Sequence, residues 1–254
     1  MPFFKAGSKL VYYAHVPKCG GSAVEHFIEG RAGQMALVDT GYMSIPESQR
    51  WSRTSPQHIN VEALSRLIPL EFFDAAFTIV RHPVARTVSA YHFQMEQEGR
   101  ISKNISFSDW LEDLELAHTE NPYAYDNHLR PMDDIVPEGA HVFYLEHGLD
   151  ALVPWFDALL GNTSAPRAVH RVNERNTGGE KVAPSPSDLA QIGRIYKADF
   201  ARFGYVLGEK MPKAPAPVLS AEIIAARDAE LKAAGSAGAK MGKLVGKIRR
   251  RMSG

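Results

Sequence analysis

Apolar residues along the chain fall into short unbroken runs separated by stretches with helical spacing. Residues 10–16 (LVYYAHV) are β-branched and aromatic and end at Pro17, which predicts a buried strand. Residues 75–80 (AAFTIV) and 141–145 (HVFYL) predict two more strands, and 35–38 (MALV) a fourth, shorter one. Between them, Val24, Phe27 and Ile28 share one face of a helix over 22–30, with Gly30 as its stop. Val61, Leu64, Leu67 and Ile68 do the same over 61–68. Pro83 suits a helix first turn, so a helix is predicted from about 84 to 97. Further helices are predicted over 107–117, 122–130, 148–160 and 188–201, the last capped by Ser187. Residues 40–57 and 166–184 are predicted to be irregular.

Short apolar strands alternating with helices predict an α/β layered fold around a central parallel sheet. Ligands of such sheets bind beyond the carboxyl ends of the strands. The Pro17–Ser22 turn, Arg81 and Glu146 each follow a predicted strand, so they are expected to gather at one edge. The pattern changes near residue 209, where MPKAPAPVL reads as a linker. We expect one domain over 1–208, then a 209–254 extension of linker, helix (220–234) and basic amphipathic tail.

Composition narrows the function. The 254 residues carry 29 Lys and Arg against 29 Asp and Glu, so the whole chain lacks the basic excess of a nucleic-acid binder. A single cysteine, Cys19, excludes intrachain disulfides and zinc fingers. The first residues are too short and polar a stretch for a signal peptide, and no apolar run reaches the ~20 residues that span a bilayer. The expectation is a cytoplasmic protein. Its basic tail reads either as a peripheral contact with the inner face of an anionic membrane or with a polyanion, or as a solubilising end.

The candidate chemistry lies in two stretches. Pro17-Lys18-Cys19-Gly20-Gly21-Ser22 is a glycine turn between a strand and a helix start, which is the form of an anion site. Its lysine precedes the glycines, unlike GxxxxGK followed by Ser or Thr in nucleoside-triphosphate binders, so phosphoryl transfer from ATP is disfavoured. A plain turn with a surface lysine is the alternative. In FTIVRHPVARTVSAYHF (77–93), Arg81 ends a strand and Ser89 lies in the following helix. Together they offer a guanidinium and a hydroxyl to a phosphate, although either alone reads more readily as a salt-bridged arginine or a helix-face serine.

Taken together, the two stretches resemble the carbohydrate sulfotransferases that use 3′-phosphoadenosine 5′-phosphosulfate (PAPS), closest to the Golgi type that includes heparan-sulfate 2-O-sulfotransferases. The family's PK(T/C)GG(T/S)S motif is matched from Pro17 to Ser22, with Ala23 in place of a second hydroxyl. Its RxPxxRxxSaY motif is matched by Arg81, Pro83, Arg86, Ser89, Ala90 and Tyr91. NHLRPM (127–132), the strand–Glu–helix block over 144–161 and IYKADFARFGY (195–205) extend the similarity to about residue 208.

The resemblance implies a P-loop NTPase-like three-layer fold and direct in-line transfer of a sulfuryl group to a hydroxyl of a saccharide, glycolipid or other glycoconjugate. It implies that Pro17, Lys18, Cys19, Gly20, Gly21, Ser22 and Ala23 cradle the 5′-phosphosulfate and that Arg81 and Ser89 hold the 3′-phosphate. Lys18 would neutralise charge at the bridging oxygen, and no metal is implied. The acceptor needs a base, for which histidine is suited. His58 is the first candidate because related enzymes carry a histidine at a similar place; His128 is second. His15 and His82 are expected to pack or orient, and Cys19 is not expected to be a nucleophile. Glu146 is open between positioning and structure, and Arg171, Asn173 and Arg175 between ligand contact and solvated loop. Two other functions stay open: a nucleotide kinase-like enzyme, and a non-catalytic nucleotide- or polyanion-binding module.

Overall fold

The structure is a computed structural model that describes residues 2–170 and 182–235. Its centre is a four-stranded sheet of order β1 (Phe3–Ala6), β2 (Lys9–Ala14), β3 (Ala75–Val80) and β4 (His141–Tyr144). The three strands expected from the apolar runs form a parallel array, with Ala14 opposite Thr78 and Val80 opposite Tyr144. The N-terminal residues add β1 as an antiparallel edge strand, so the sheet is mostly rather than wholly parallel. That strand was missed because its FFKA pattern sits across a tight turn at Gly7 (φ 63°), too short to read as a run.

Side-chain alternation along β2 divides the core. Val11 and Tyr13 join Phe77 and Ile79 beneath α1 (Gly21–Ala32) and α5 (Leu152–Leu160). Tyr12 and Ala14 face the opposite way, against Ile59 and Leu64 of the segment that includes α2 (Val61–Ser65). Helices therefore flank both faces of the sheet. A second apolar cluster lies among α3 (Pro83–Glu96), α4 (Phe107–Glu120) and α6 (Pro186–Ile195), where Tyr91, Trp110, Leu111 and Ile192 meet.

Several sequence expectations need correction. α1 continues through Gly30 to Ala32 and stops at Gly33 (φ 89°). Gly30 instead gives room to Pro166, whose Cδ would lie 2.8 Å from any Cβ at that position. The 35–38 strand reduces to one bridge, Phe3 to Ala36, because MALV has only the short β1 edge to pair with. α6 is capped by Ser185 rather than Ser187: its Oγ accepts from Asp188 N–H and the Asp188 carboxylate accepts from Ser185 N–H. The chain then breaks at Tyr196 before α7 (Lys197–Arg202). Residues 122–130 form no α-helix, because Tyr125, Asp126 and Asn127 all adopt left-handed backbone angles (φ 54°, 56° and 58°).

Beyond the sheet, α8 (221–235) docks on the body. Arg227 pairs with Asp150 at 3.1 Å, and Glu230 accepts from Arg167 N–H at 2.6 Å. Among the described residues no helix is long and apolar enough to cross a membrane. Arg171, Asn173 and Arg175, and the basic tail from Lys240 to Met252, lie outside the described residues.

Candidate active site

The parallel register brings the ends of β2, β3 and β4 to one edge, as the strand pattern implied. Arg81 follows β3 and donates from Nη1 to Lys18 O at 3.1 Å. Arg86, one turn into α3 and buried, donates from Nε to Pro17 O at 3.1 Å and from Nη2 to His128 O at 3.0 Å. Two guanidinium groups thus draw back consecutive carbonyls of the loop. In a trans peptide the N–H opposes the C=O, so the N–H groups of Lys18 and Cys19 turn the other way.

Lys18 (φ 67°) and Gly20 (φ 86°) are both left-handed, which curls the loop into a concave row of amides. The lysine pays about 1–2 kcal/mol for that conformation. α1 then begins with no side-chain cap and no acidic residue in its first turn. Among the described residues nothing accepts from the N–H of Gly20 or Gly21. The helix start is left open to an anion.

The second glycine serves a different need. A Cβ on Gly21 would fall on the His15 imidazole. His15 is stacked on Tyr13, centroids 5.2 Å apart, and its Nδ1 lies 2.9 Å from Glu25 Oε1. Gly21→Ala is therefore expected to destabilise the fold by about 1–3 kcal/mol, as overpacking does, measurable in a urea titration; an unchanged midpoint would show that His15 gives way freely.

On α3, Arg86, Ser89 and Phe93 are spaced three and four apart and so share a face. Arg86 binds the loop and Phe93 carries Lys18 Nζ 3.7 Å from its ring centroid, which places Ser89 between them on the side turned to the loop. Among the described residues no carboxylate pairs with Arg81 and no group bonds the Ser89 hydroxyl; the Arg81 contact they show is the one to Lys18 O. Burial, and then the Arg81 charge, bring the Lys18 ammonium down to about 8. Burial pushes the Cys19 thiol up to about 12, which keeps it protonated and poorly nucleophilic.

His58 sits in a 3-10 turn, Pro56–His58, that ends the long polar loop. Its ring lies 5.0 Å from that of His15 and 4.9 Å from that of His128, centroid to centroid. Nδ1 is 2.8 Å from Asp126 Oδ2. The same carboxylate accepts from Ser55 Oγ and Ser55 N–H, both at 2.6 Å. An ionised carboxylate only accepts, so His58 carries its proton on Nδ1 and leaves Nε2 unprotonated. Burial lowers the His58 pKa and the Asp126 hydrogen bond offsets part of that, so the ring is neutral near pH 7. Burial also works against the Asp126 charge, but the bonds from His58 and Ser55 hold its carboxyl below the usual range.

His128 is arranged in the opposite sense. The Gln94 amide donates to its Nδ1 at 2.8 Å, which puts the proton of the neutral ring on Nε2. Burial, with the Lys18 and Arg86 charges nearby, keeps it from protonating further. His128 is therefore built as a donor, His58 as an acceptor.

Other motif residues make hydrogen bonds within the fold. Glu146 accepts from His82 N–H at 2.7 Å and from Tyr205 O–H at 3.0 Å, which ties together the ends of β3, β4 and α7. His82 caps α3 through Nδ1. Tyr196 O–H donates to Leu129 O, and Asp199 accepts from Met132 and Asp133 N–H, fixing the 127–133 segment. Residues not singled out beforehand are Asp126, Ser55, Phe93 and Gln94. The one sequence signal for Asp126 is its Asp-Asn pair, the residue types that best tolerate left-handed angles.

A family model described as "Sulfotransferase family" matches residues 1–206. No curated protein and no solved structure matches the chain.

Proposed function

Because the chain belongs to the sulfotransferase family, we propose that it transfers a sulfuryl group from PAPS to a hydroxyl of a saccharide or glycoconjugate. The observation that carries this is the Lys18–Gly21 loop: two tied-back carbonyls, two left-handed residues and an uncapped helix start, all turned to one place beside Arg81, Ser89 and Lys18. In this reading residues 17–23 cradle the phosphosulfate, Arg81 and Ser89 hold the 3′-phosphate, and the strand–loop–helix unit is P-loop-like. When bound, the donor supplies an activated sulfuryl group on a good leaving phosphate. Lys18 sets a positive charge where the leaving oxygen gains negative charge. His58 Nε2 takes the proton of the acceptor hydroxyl, while Asp126 stabilises the resulting imidazolium. In this reading charge placement and positioning by these side chains carry the catalysis.

Calorimetry of the full chain with adenosine 3′,5′-bisphosphate tests this. Micromolar or tighter binding that persists in a chelator and weakens at least tenfold in Arg81→Ala is expected. Preference for Mg-ATP would overturn it in favour of kinase-like chemistry. Binding without turnover on any saccharide, lipid or phenolic acceptor would favour a binding module. The 1–208 unit remains the proposed catalytic domain, with α8 docked against it through Arg227 and Glu230.

A further inference from the structure

Three consecutive non-glycine residues in the left-handed region, Tyr125, Asp126 and Asn127, are costly and persist only where their surroundings hold them. Here they are held from both sides. The Tyr125 side chain packs into the α3–α4 cluster and lines a hollow with Ile101, Trp110 and Leu114. Asn127 Nδ2 donates to His58 O at 2.8 Å, and its Oδ1 accepts from Arg130 Nη1 at 3.3 Å. Asp126 lies between them, its carboxylate on Ser55 and on His58 Nδ1.

A single turn thus grips both the backbone and the ring of His58, across 68 and 69 residues of sequence. An ordinary helical turn would send successive side chains about 100° apart around an axis. The left-handed turn lets Asp126 and Asn127 both reach His58 while Tyr125 anchors in the core.

We infer that Tyr125–Asn127 is a positioning device for the base. Asp126 fixes the His58 imidazole as the Nδ1–H tautomer, and Asn127 fixes its backbone, so that Nε2 is the atom free to take a proton. The inference rests on His58 being the base of the proposed transfer. The Asp126 carboxylate is spent on Ser55 and on His58 Nδ1, so its role in the transfer runs through the imidazole.

Asp126→Asn separates this role from bulk stability. Oδ1 accepts from Ser55 N–H, so the asparagine carbonyl oxygen is required there. The amide nitrogen then replaces Oδ2 opposite His58 Nδ1. An amide nitrogen only donates, so Nδ1 must become an acceptor and the ring proton must move to Nε2.

The test is ¹⁵N NMR of imidazole-labelled full chain at neutral pH, together with steady-state kinetics. Wild type is expected to show His58 with a protonated Nδ1, and Asp126→Asn with a protonated Nε2. In the variant kcat is expected to fall about 10²-fold or more, with the affinity for adenosine 3′,5′-bisphosphate within twofold of wild type. Ser55→Ala, which leaves the Asp126–His58 contact in place, is expected to lose less than tenfold. A wild-type His58 protonated on Nε2 would overturn the inference, and it needs no variant to fold. So would a swapped tautomer with unchanged kcat. If the tautomers are as expected but neither protein binds the bisphosphate or transfers a sulfuryl group, the clamp is supported and the donor reading falls.

Discussion

His58→Ala is expected to lower turnover about 10²-fold or more while leaving the affinity for adenosine 3′,5′-bisphosphate nearly unchanged. The two halves of that expectation come from different contacts. The loop is shaped by Arg81 on Lys18 O and Arg86 on Pro17 O, and neither bond involves His58. Proton removal depends on Nε2, which the Asp126 contact at Nδ1 leaves available. His128→Ala is expected to cost less turnover, because with Gln94 donating to Nδ1 the His128 ring has no free lone pair to offer. Unchanged turnover in His58→Ala would move the base elsewhere. The pH dependence follows in sign. A base must be neutral, and burial lowers the His58 pKa, so kcat/KM should rise with pH through a limb below the ordinary histidine value of about 6.5 and lie flat above it. Asp126→Asn should lower the rate without restoring an ordinary limb.

The parallel sheet and its edge were legible because they rest on local pattern. Three apolar runs became β2, β3 and β4, and the residues that follow them meet as the strand order requires. The anion loop was legible because glycine and a strand–turn–helix order carry a backbone meaning in themselves, and both glycines have a reason in the structure: one a positive φ, the other the His15 ring. What stayed hidden depends on pairs distant in sequence. Nothing local says that Asp126 meets His58 or that Phe93 lies under Lys18. The 122–130 segment was read as helical from local sequence alone. Tertiary bonds to His58, Leu129 and Met132 overrode that propensity. Arg86 was seen as a motif match, yet its buried role as a staple between Pro17 and His128 follows only from three-dimensional contact.

Lys18→Ala is expected to lower kcat/KM for the donor about 10²- to 10³-fold, the range seen when one preorganised charge-stabilising group is removed. The lysine is poised for this by three features: a left-handed backbone that aims it, Phe93 beneath its ammonium, and a pKa brought down to about 8 by burial and Arg81. Since the charged form is the one that meets an anion, kcat/KM should fall as pH rises through about 8, rather than through the ~10.4 of an ordinary lysine. A bound anion favours the charged form, so the corresponding limb in kcat should lie higher. Lys18→Arg keeps a charge that does not titrate, so its alkaline limb should vanish even though its different shape lowers the rate. An alkaline limb that stays near 8 in Lys18→Arg would assign that ionisation to another group. Lys18→Gly supplies the converse. Glycine adopts φ near 67° freely, so this variant should unfold at no lower urea concentration than wild type while losing as much activity as Lys18→Ala. A residue kept at a position where glycine is no less stable is retained for its charge, and the strained backbone at Lys18 is the cost of pointing that charge at the loop.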